Sequence, residues 1–360
     1  MAVPARSAAQ PIHVMVVDDS AVVRGLISRE IDADPDLRVV ASASNGEMAV
    51  MEAGRRALDV IVLDIEMPIM DGMTALPLLL AAQPGVKVLI ASTLTRRNGE
   101  ISLKALQLGA ADYLSKPDAG TTLVTAEDFK RDLVAKVRAL GAVRGARALG
   151  PAMSAPPVAL ARPAAVAIRP EVIIIGGSTG APPVLVRLFE ELRGAVRQPI
   201  LLTQHMLATF TALLAEQLER SGGRPCSEGR DGEPIVPGRA YVAPGGWHMT
   251  VGTQNGLRVI RLDQEPPENF CRPAVDPLFR SVAQAYGPKV LAVVLTGMGS
   301  DGAKGCEAVS QAGGRFVVQD EASSAVWGMP GAAARTGLAD RIVPLAQLAG
   351  FIAQAAETGI

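Results

Sequence analysis

The run Val-Ile-Ile-Ile-Gly-Gly-Ser-Thr-Gly at residues 172–180 constrains the fold more than any other stretch of the chain. Its four β-branched residues predict a buried strand, and Pro182 and Pro183 mark the start of a helix shortly afterwards. The G-x-S-x-G pattern between them would place the Ser178 hydroxyl at the carboxyl end of a sheet, beside helix N-terminal amides. Such a turn can present a nucleophile to an acyl carbon, although a phosphate-binding turn or a plain strand–helix loop uses the same residues.

Length and composition limit the classes of protein to which the chain can belong. The chain has 360 residues, of which 49% are hydrophobic and 20% charged, so we expect two folded domains. A formal net charge of −1 gives no argument for a nucleic-acid partner. Cys226, Cys271 and Cys306 are far apart and form no C-x-x-C pair, which argues against a disulfide framework and a thiolate zinc site. Without a signal-type or 18-residue apolar run, we expect a cytoplasmic protein that does not insert into a membrane.

Apolar segments and helical patterns alternate through the first half of the chain. Strands are predicted at residues 12–17, 37–41, 59–63, 86–91 and 112–114, and helices at about 20–31, 46–56, 73–82, 98–108 and 126–140. Five strands alternating with five helices predict a doubly wound parallel sheet. Ligands of such sheets bind beyond the carboxyl ends of the strands.

Polar side chains follow four of these predicted strands. Asp18 and Asp19 come after the first strand, Asp64 after the third, Ser92 after the fourth and Lys116 after the fifth. Crowded carboxylates repel one another unless a cation is bound, and their oxygen atoms suit Mg²⁺. The alternative is that these acids are ordinary helix caps and turn residues.

The first half, taken as residues 11–140, resembles the receiver domain of two-component response regulators, which has a flavodoxin-like (βα)5 fold. The resemblance rests on Val-Val-Asp-Asp-Ser at 16–20, Leu-Asp-Ile-Glu-Met-Pro-Ile-Met-Asp-Gly at 63–72, Ser92 and Lys-Pro at 116–117. It implies that Asp64 accepts a phosphoryl group from a chemotaxis histidine kinase. It further implies that Asp18, Asp19, Asp64 and the Glu66 backbone carbonyl hold Mg²⁺, and that Ser92 and Lys116 bind the phosphoryl group.

Residues 141–169 lose the alternating pattern and are rich in alanine, proline and arginine. Proline favours extended chain, so we interpret this segment as an interdomain linker. Its arginines would be solvated, or would contact a membrane surface or an acidic helix.

The second half again alternates strands with helices. Buried strands are predicted at 172–175, 199–203, 290–295, 316–319 and 342–343, with helices after Ser178 and at the C-terminus. A hairpin-like region of three segments, 240–243, 247–251 and 257–262, lies between them, and Asp276 is predicted to cap a helix that runs to Tyr286. These elements predict a doubly wound, mostly parallel α/β domain with a β-hairpin insertion.

The chain contains only three histidines, which narrows the choice of a general base for Ser178. His13 lies within the first strand of the other domain, and His248 lies in the hairpin region, where a structural or substrate-lining role is expected. His205 follows a buried strand and is the preferred base, although lone histidines are more often structural. Asp301 follows the 290–295 strand and would orient the imidazole; its alternative role is to cap the helix after Gly302, and one residue can serve both uses. The hypothesis is a Ser178–His205–Asp301 triad with backbone amides forming the oxyanion site.

The second half, taken as residues 170–357, resembles the catalytic domain of chemotaxis protein-glutamate methylesterases. The matching stretches are Ile-Gly-Gly-Ser-Thr-Gly-Ala-Pro at 175–182, Gln-His-Met at 204–206, Tyr-Val-Ala-Pro-Gly-Gly-Trp-His-Met at 241–249, Arg-Pro-Ala-Val-Asp at 272–276, Leu-Thr-Gly-Met-Gly-Ser-Asp-Gly-Ala at 295–303 and Gln-Asp-Glu-Ala-Ser at 319–323.

The resemblance implies hydrolysis of glutamate γ-methyl esters, with release of methanol, and deamidation of glutamines on the cytoplasmic helices of methyl-accepting chemotaxis receptors. One acyl-transfer site can run both reactions through a glutamyl-serine intermediate. The backbone amides of Met298 and Thr179 would form the oxyanion hole, with no cofactor in the hydrolase site. Phosphorylation of Asp64 would relieve a block of the catalytic face by the receiver domain.

Two departures from the family pattern bear on the substrate. Leu207-Ala208 stands where the family usually has Pro-Pro, and Ala274 stands where it has serine. Two alternatives therefore stay open. One is the same chemistry on receptors outside flagellar chemotaxis, and the other is a non-enzymatic, phosphorylation-gated binding module.

Overall fold

A computed structural model describes residues 11–93, 95–116, 125–148 and 168–359 of the chain. The chain divides into two compact units between residues 155 and 156, and each unit is described by itself. In the described part of the chain, no helix is both long enough and apolar enough to cross a membrane.

The N-terminal unit contains a five-stranded sheet in the order β2-β1-β3-β4-β5, and all of its strand pairs are parallel. The strands are β1 (Ile12–Val17), β2 (Leu37–Ala43), β3 (Val60–Asp64), β4 (Lys87–Ser92) and β5 (Asp112–Ser115). The helices are α1 (Ala21–Asp32), α2 (Gly46–Ala53), α3 (Gly72–Ala82), α4 (Arg96–Gln107) and α5 (Ala126–Ala148). The flavodoxin-like fold is confirmed, with β3 at the centre and buried along its whole length.

Side-chain caps fix where most of these helices begin. The Ser20 hydroxyl accepts a hydrogen bond from the Val23 amide, so this predicted cap is present. Asn45, Asp71 and Thr95 cap α2, α3 and α4 in the same way. Each oxygen satisfies an amide that has no partner within its helix, and such a cap contributes about 1 kcal/mol.

Helix α5 continues to Ala148, eight residues beyond its predicted end at residue 140, and so enters the segment predicted to be linker. The alanines and arginines of this segment are good helix formers, and its first proline is Pro151. Gly141 does not interrupt the helix; a Cβ atom there would lie 2.3 Å from Ile12 Cγ2, so glycine permits close packing on β1. Residues 149–167, the greater part of the predicted linker, lie outside the described residues.

The C-terminal unit contains a seven-stranded sheet in the order β14-β13-β12-β6-β7-β9-β8, in which every pair is parallel. Its strands are β6 (Val172–Gly177), β7 (Ile200–Gln204), β8 (Cys226–Glu228), β9 (Ala240–Val242), β12 (Val290–Val294), β13 (Arg315–Gln319) and β14 (Arg341–Val343). Strands β10 (His248–Gln254) and β11 (Leu257–Asp263) form a separate antiparallel hairpin. The helices are α6 (Ala181–Glu191), α7 (Ala208–Gly222), α8 (Val275–Tyr286), α9 (Ala303–Gln311), α10 (Met329–Arg335) and α11 (Leu345–Thr358).

The prediction of a three-segment hairpin region is wrong for its first segment, residues 240–243. Ala240–Val242 is strand β9 of the large sheet, where it pairs in parallel with β7 and β8. All three of its residues are buried, whereas a hairpin strand with one solvated face would alternate. Only β10 and β11 form the hairpin, which is joined to α8 by a 3.0 Å hydrogen bond from the Val251 amide to Ser281 Oγ.

Strand β6 lies where the chain changes direction within the sheet. The chain runs from β6 to β7 on one side, and β12 pairs with β6 on the other side. A crevice opens at such a switch point, beyond the carboxyl ends of the strands. The residues that follow β6, β7 and β12 therefore meet at one place.

Candidate functional sites

In the N-terminal unit, the predicted acidic cluster forms at the carboxyl ends of β1 and β3. Carboxylate oxygens of Asp18, Asp19 and Asp64 all lie within 4.8 Å of one another. Lys116 Nζ lies 2.6 Å from Asp18 Oδ2 and 2.8 Å from Asp64 Oδ1. The lysine ammonium thus pairs with both buried carboxylates, while Asp19 is exposed.

Burial dominates the electrostatics of Asp64. It raises the pKa of this carboxyl, Lys116 opposes the rise, and the neighbouring charge of Asp18 adds to it. A divalent cation would favour the ionised form, so the donor set fits Mg²⁺ in both ligand type and charge.

A cavity of about 320 Å³ opens above Asp64, and its walls contain the predicted phosphoryl-site residues. Glu66, Ser92 and Lys116 line it together with Asp19, Ile65, Thr93 and Asn98. Sequence reasoning missed Asn98, which lies in the first turn of α4, is buried, and donates a 2.8 Å hydrogen bond to Thr93 Oγ1. No spacing rule links an α4 residue to the strand ends, so only the fold reveals this contact.

In the C-terminal unit, Ser178 follows β6 on a tight turn. Its amide donates to the Thr296 carbonyl at 3.1 Å, and its carbonyl accepts from the Ala181 amide at 3.0 Å. Gly180 begins helix α6 with a φ of +79°, and a Cβ atom there would lie 2.4 Å from Ala325 Cβ. Glycine is therefore required by both conformation and space, and the expected strand–turn–helix geometry around Ser178 is present.

The turn after β12 lies directly against Ser178. A Cβ atom on Gly297 would lie 2.8 Å from Ser178 Cβ and 2.4 Å from Met329 Sδ. The glycine lets the Thr296–Met298 backbone approach the serine closely. Met298, whose amide is the predicted oxyanion donor, is the next residue of this turn.

His205 and Asp301 are in direct contact. His205 follows β7, and its Nε2 lies 2.7 Å from Asp301 Oδ2. Its Nδ1 lies 3.4 Å from Cys271 Sγ. Among the described residues, none forms a hydrogen bond with Ser178 Oγ, so the assignment of Ser178 as the third triad member stays a prediction.

The Asp301 carboxylate accepts hydrogen bonds at both of its oxygens. Oδ2 also accepts from the Val275 amide at 2.6 Å. Oδ1 accepts from Asn269 Nδ2 at 2.9 Å and from the amides of Asp276 and Gly302 at 3.0 Å each. Five donors thus fix one buried acid, which in turn fixes the plane of the imidazole.

Asp276 is not the helix cap that the sequence predicts. Helix α8 starts after Ala274, and the Asp301 carboxylate binds its first amides instead. Asp276 Oδ1 accepts from the amides of Gly302 and Gly305, which open helix α9. Each acid therefore binds the first amides of the other's helix. Asp301 is not the N-cap of α9 that its alternative interpretation predicts, because Gly302 is in that position, and its carboxylate binds α8 together with His205.

The pKa shifts follow from this arrangement. Burial lowers the pKa of His205, but the electrostatic interaction with the Cys271 sulfur and the hydrogen bond to Asp301 outweigh it and raise the pKa to about 10. Burial alone would raise the pKa of Asp301, yet the bond to His205 and the backbone amides hold it below its usual value. Burial and the charge of Asp301 raise the pKa of Asp276.

The other two histidines are held by backbone atoms. His248 is buried; its Nδ1 accepts from the Ala274 amide and its Nε2 faces the Pro266 carbonyl, both at 3.2 Å. These two backbone contacts fit a structural role for His248. His13 Nδ1 faces the Ala57 carbonyl at 3.2 Å within the other unit.

Sequence reasoning missed two residues of this site, Asn269 and Cys271. They lie in a short loop closed by a 2.9 Å hydrogen bond from the Cys271 amide to the Glu268 carbonyl. Asn269 and Phe270 both have positive φ, of 52° and 62°. An Asn before an aromatic residue gives only a weak signal for this conformation, and nothing in the sequence indicates which strand ends the loop reaches.

Each of the two units matches a known protein family. Residues 14–127 match the response regulator receiver domain family, and residues 173–352 match the CheB methylesterase family. The class is therefore a response regulator whose receiver domain is joined to an enzymatic α/β domain.

Full-length relatives define the family. A protein-glutamate methylesterase/protein-glutamine glutaminase of group 2 operon from Rhodospirillum centenum is 52% identical over 95% of this chain and 93% of its own length. A protein-glutamate methylesterase/protein-glutamine glutaminase from Azospirillum brasilense is also 52% identical, over 95% and 92%. The crystal structure of the Thermotoga maritima CheB methylesterase catalytic domain superimposes with a TM-score of 0.50 at 35% identity, covering 52% of this chain and 99% of that chain. The chain belongs to the protein-glutamate methylesterase/protein-glutamine glutaminase family of enzymes.

Proposed function

We propose that the chain hydrolyses glutamate γ-methyl esters on chemotaxis receptors and deamidates particular receptor glutamines. The 2.7 Å contact between His205 and Asp301 carries this proposal, because it lies at the strand edge where the Ser178 turn also ends. An imidazole oriented by a buried carboxylate beside a serine is the side-chain set that acyl transfer needs. Family membership supplies the substrate class.

His205 would act through Nδ1, because Nε2 is bound to Asp301. Ser178 Oγ attacks the γ-acyl carbon and gives its proton to Nδ1, and the Asp301 carboxylate stabilises the imidazolium that forms. The negative charge on the acyl oxygen would be stabilised by the backbone amides of Met298 and Thr179.

The intermediate then collapses. The C–O bond to methoxide or the C–N bond to the amide nitrogen breaks, and the leaving group takes the proton from Nδ1. Methanol or ammonia departs and leaves a glutamyl ester on Ser178. Water, deprotonated by the same Nδ1, attacks this ester and releases glutamate and the free serine. The two reactions differ only in the leaving group, so one site serves both.

We propose that phosphorylation of Asp64 activates the hydrolase. Asp18, Asp19, Asp64 and the Glu66 carbonyl would hold Mg²⁺, which when bound offsets the clustered negative charge and polarises the phosphoryl oxygens. Lys116 Nζ, 2.8 Å from Asp64, would pair with the phosphoryl group. A phosphoryl group carries roughly −1.5 to −2 charge in place of the single negative charge of the Asp64 carboxylate, and this change in charge and size can reorganise a local interface.

A second candidate concerns the substrate and keeps the chemistry. Relatives from Rhodospirillum centenum, Rhodopseudomonas palustris and Bradyrhizobium diazoefficiens carry names that assign them to a group 2 operon. Such names favour receptors of a separate signalling pathway as the substrates. Methanol release from membranes that contain one receptor set at a time distinguishes the two candidates.

The experiment that tests the nucleophile compares two serine variants on methylated receptor membranes. Ser178→Ala is expected to abolish methanol release and the covalent glutamyl-enzyme, with an unchanged circular dichroism spectrum. Ser300→Ala is the matched control, because Ser300 is exposed in the turn just before Asp301. Substantial turnover by Ser178→Ala, or equal loss in both variants, would exclude Ser178 as the nucleophile.

A further inference from the structure

We propose that Cys271 is a second nucleophile of this centre, a thiol that His205 activates toward small electrophiles such as peroxides and alkylating agents. Its modification would block hydrolysis at Ser178. The labelling chemistry follows from side-chain geometry alone, and only the inhibitory consequence rests on the proposed function.

Three groups in a row carry the inference. Cys271 Sγ lies 3.4 Å from His205 Nδ1, and His205 Nε2 lies 2.7 Å from Asp301 Oδ2. A thiol, an imidazole and a buried carboxylate in this sequence form a nucleophile, a base and an orienting acid. His205, the proposed base of the hydrolase, can therefore serve either Ser178 or Cys271. In this structure its Nδ1 is in contact with the Cys271 sulfur.

The loop that contains Cys271 fixes the thiol in this position. The Cys271 amide is bonded to the Glu268 carbonyl at 2.9 Å, and Asn269 Nδ2 is bonded to Asp301 Oδ1 at 2.9 Å. The same short loop thus holds both the thiol and the acid that orients the base.

The other two cysteines provide internal controls. Cys226 is 5% exposed and Cys306 is fully buried, whereas Cys271 is partly exposed. Burial raises the pKa of Cys226 to about 12 and that of Cys306 well above its usual value. Neither of these thiols has a histidine partner, since His205, His13 and His248 have the contacts given above.

The chemistry balances with a named electrophile. Cys271 passes its proton to Nδ1, and the thiolate attacks a peroxide oxygen; an S–O bond forms and the O–O bond breaks. The hydroxide that leaves takes the proton from Nδ1 and becomes water, so the sulfur is oxidised to a sulfenic acid and the peroxide is reduced. With iodoacetamide an S–C bond forms, iodide leaves and the proton passes to solvent. Either adduct fills the space beside Nδ1, which can then no longer accept the Ser178 proton.

The test uses the full-length chain and needs no receptor. Limiting iodoacetamide is added at neutral pH, and label on each cysteine is quantified by peptide mass spectrometry. We expect Cys271 to react at least about tenfold faster than Cys226 and Cys306, and His205→Gln to remove most of that advantage. Equal labelling of the three cysteines in the folded chain, or labelling of Cys271 that His205→Gln does not slow, would overturn the proposal. Urea-unfolded chain, in which all three should react alike, checks the reagent.

A second readout links the thiol to hydrolysis. Methanol release should fall in step with label on Cys271, and the activity that Cys271→Ala retains, whatever its level, should resist the reagent. Full labelling with full activity would refute the inhibitory role. A chain that labels selectively but hydrolyses no receptor ester would refute the proposed function and leave the reactive thiol established.

Discussion

Asp301→Asn should separate the orienting role of this acid from its structural role. Both carboxylate oxygens face only donors: His205 and the Val275 amide at Oδ2, and Asn269, the Asp276 amide and the Gly302 amide at Oδ1. An asparagine amide group must point at one of these sets, because it offers one oxygen in place of two. At least two donors then lose their acceptor, whichever way the amide turns.

The magnitudes follow from those contacts. Two lost hydrogen bonds to a charged group are worth about 3–6 kcal/mol, and relief from burying a charge offsets part of this, so we expect the free energy of unfolding to fall by about 2–4 kcal/mol. Loss of orientation and charge at His205 should lower kcat by about 10³–10⁴-fold, which corresponds to about 4–5.5 kcal/mol of transition-state stabilisation.

The assay pairs this variant with Asp276→Asn. Asp276 is buried in the same network but contacts the amides of Gly302 and Gly305 and the side chain of Asn269, not His205. Trp247 and Trp327, the two tryptophans of the chain, both lie in the C-terminal unit, so urea unfolding followed by their fluorescence reports on that unit. Both variants should lose stability, and only Asp301→Asn should lose most of its methanol release. Equal losses of kcat, or less than about a tenfold loss in Asp301→Asn, would refute the reasoning.

Two further predictions concern neighbours of the same site. Hydrolysis requires a deprotonated His205, so the rate should fall as pH falls through a pKa raised to about 10. The electrostatic interaction with the Cys271 sulfur contributes to this raised pKa, so Cys271→Ala should move the acidic limb of the pH–rate profile to lower pH; no movement or an upward movement would contradict this. Gly297→Ala introduces a Cβ atom 2.8 Å from Ser178 Cβ and 2.4 Å from Met329 Sδ. It should lower kcat about 10²-fold with little change in KM, and unchanged turnover would show that the turn does not have to approach Ser178 this closely.

The sequence predicts the strand-end residues well because parallel strands bring distant segments to one edge. Asp18 and Asp64, or His205 and Asp301, are far apart in the chain, yet each pair meets once their strands lie side by side. The periodicity of the apolar residues places the strands that precede these four residues, and parallel pairing brings their carboxyl ends to one edge of the sheet.

The remaining contacts depend on loops and on long-range capping. Cys271 and Asn269 reach the site on a loop with two positive-φ residues, whose path no periodicity encodes. Asp276-Pro277 has the local sequence pattern of a helix cap. The first amides of α8 are instead bound by the carboxylate of Asp301, which follows strand β12. The predicted end of α5 at residue 140 is wrong. The Ala/Arg-rich segment that follows has high helix propensity, and its prolines begin only after the helix has ended at Ala148.

The measurement that tests the central claim most directly is methanol release from methylated receptor membranes, with and without acetyl phosphate and Mg²⁺, in the wild-type chain and in Asp64→Asn. The account predicts that release by the wild-type chain rises with the phosphodonor, and that Asp64→Asn keeps basal release without the rise. Release that does not respond in the wild-type chain, or that still rises in Asp64→Asn, would contradict control of the hydrolase by phosphorylation of Asp64.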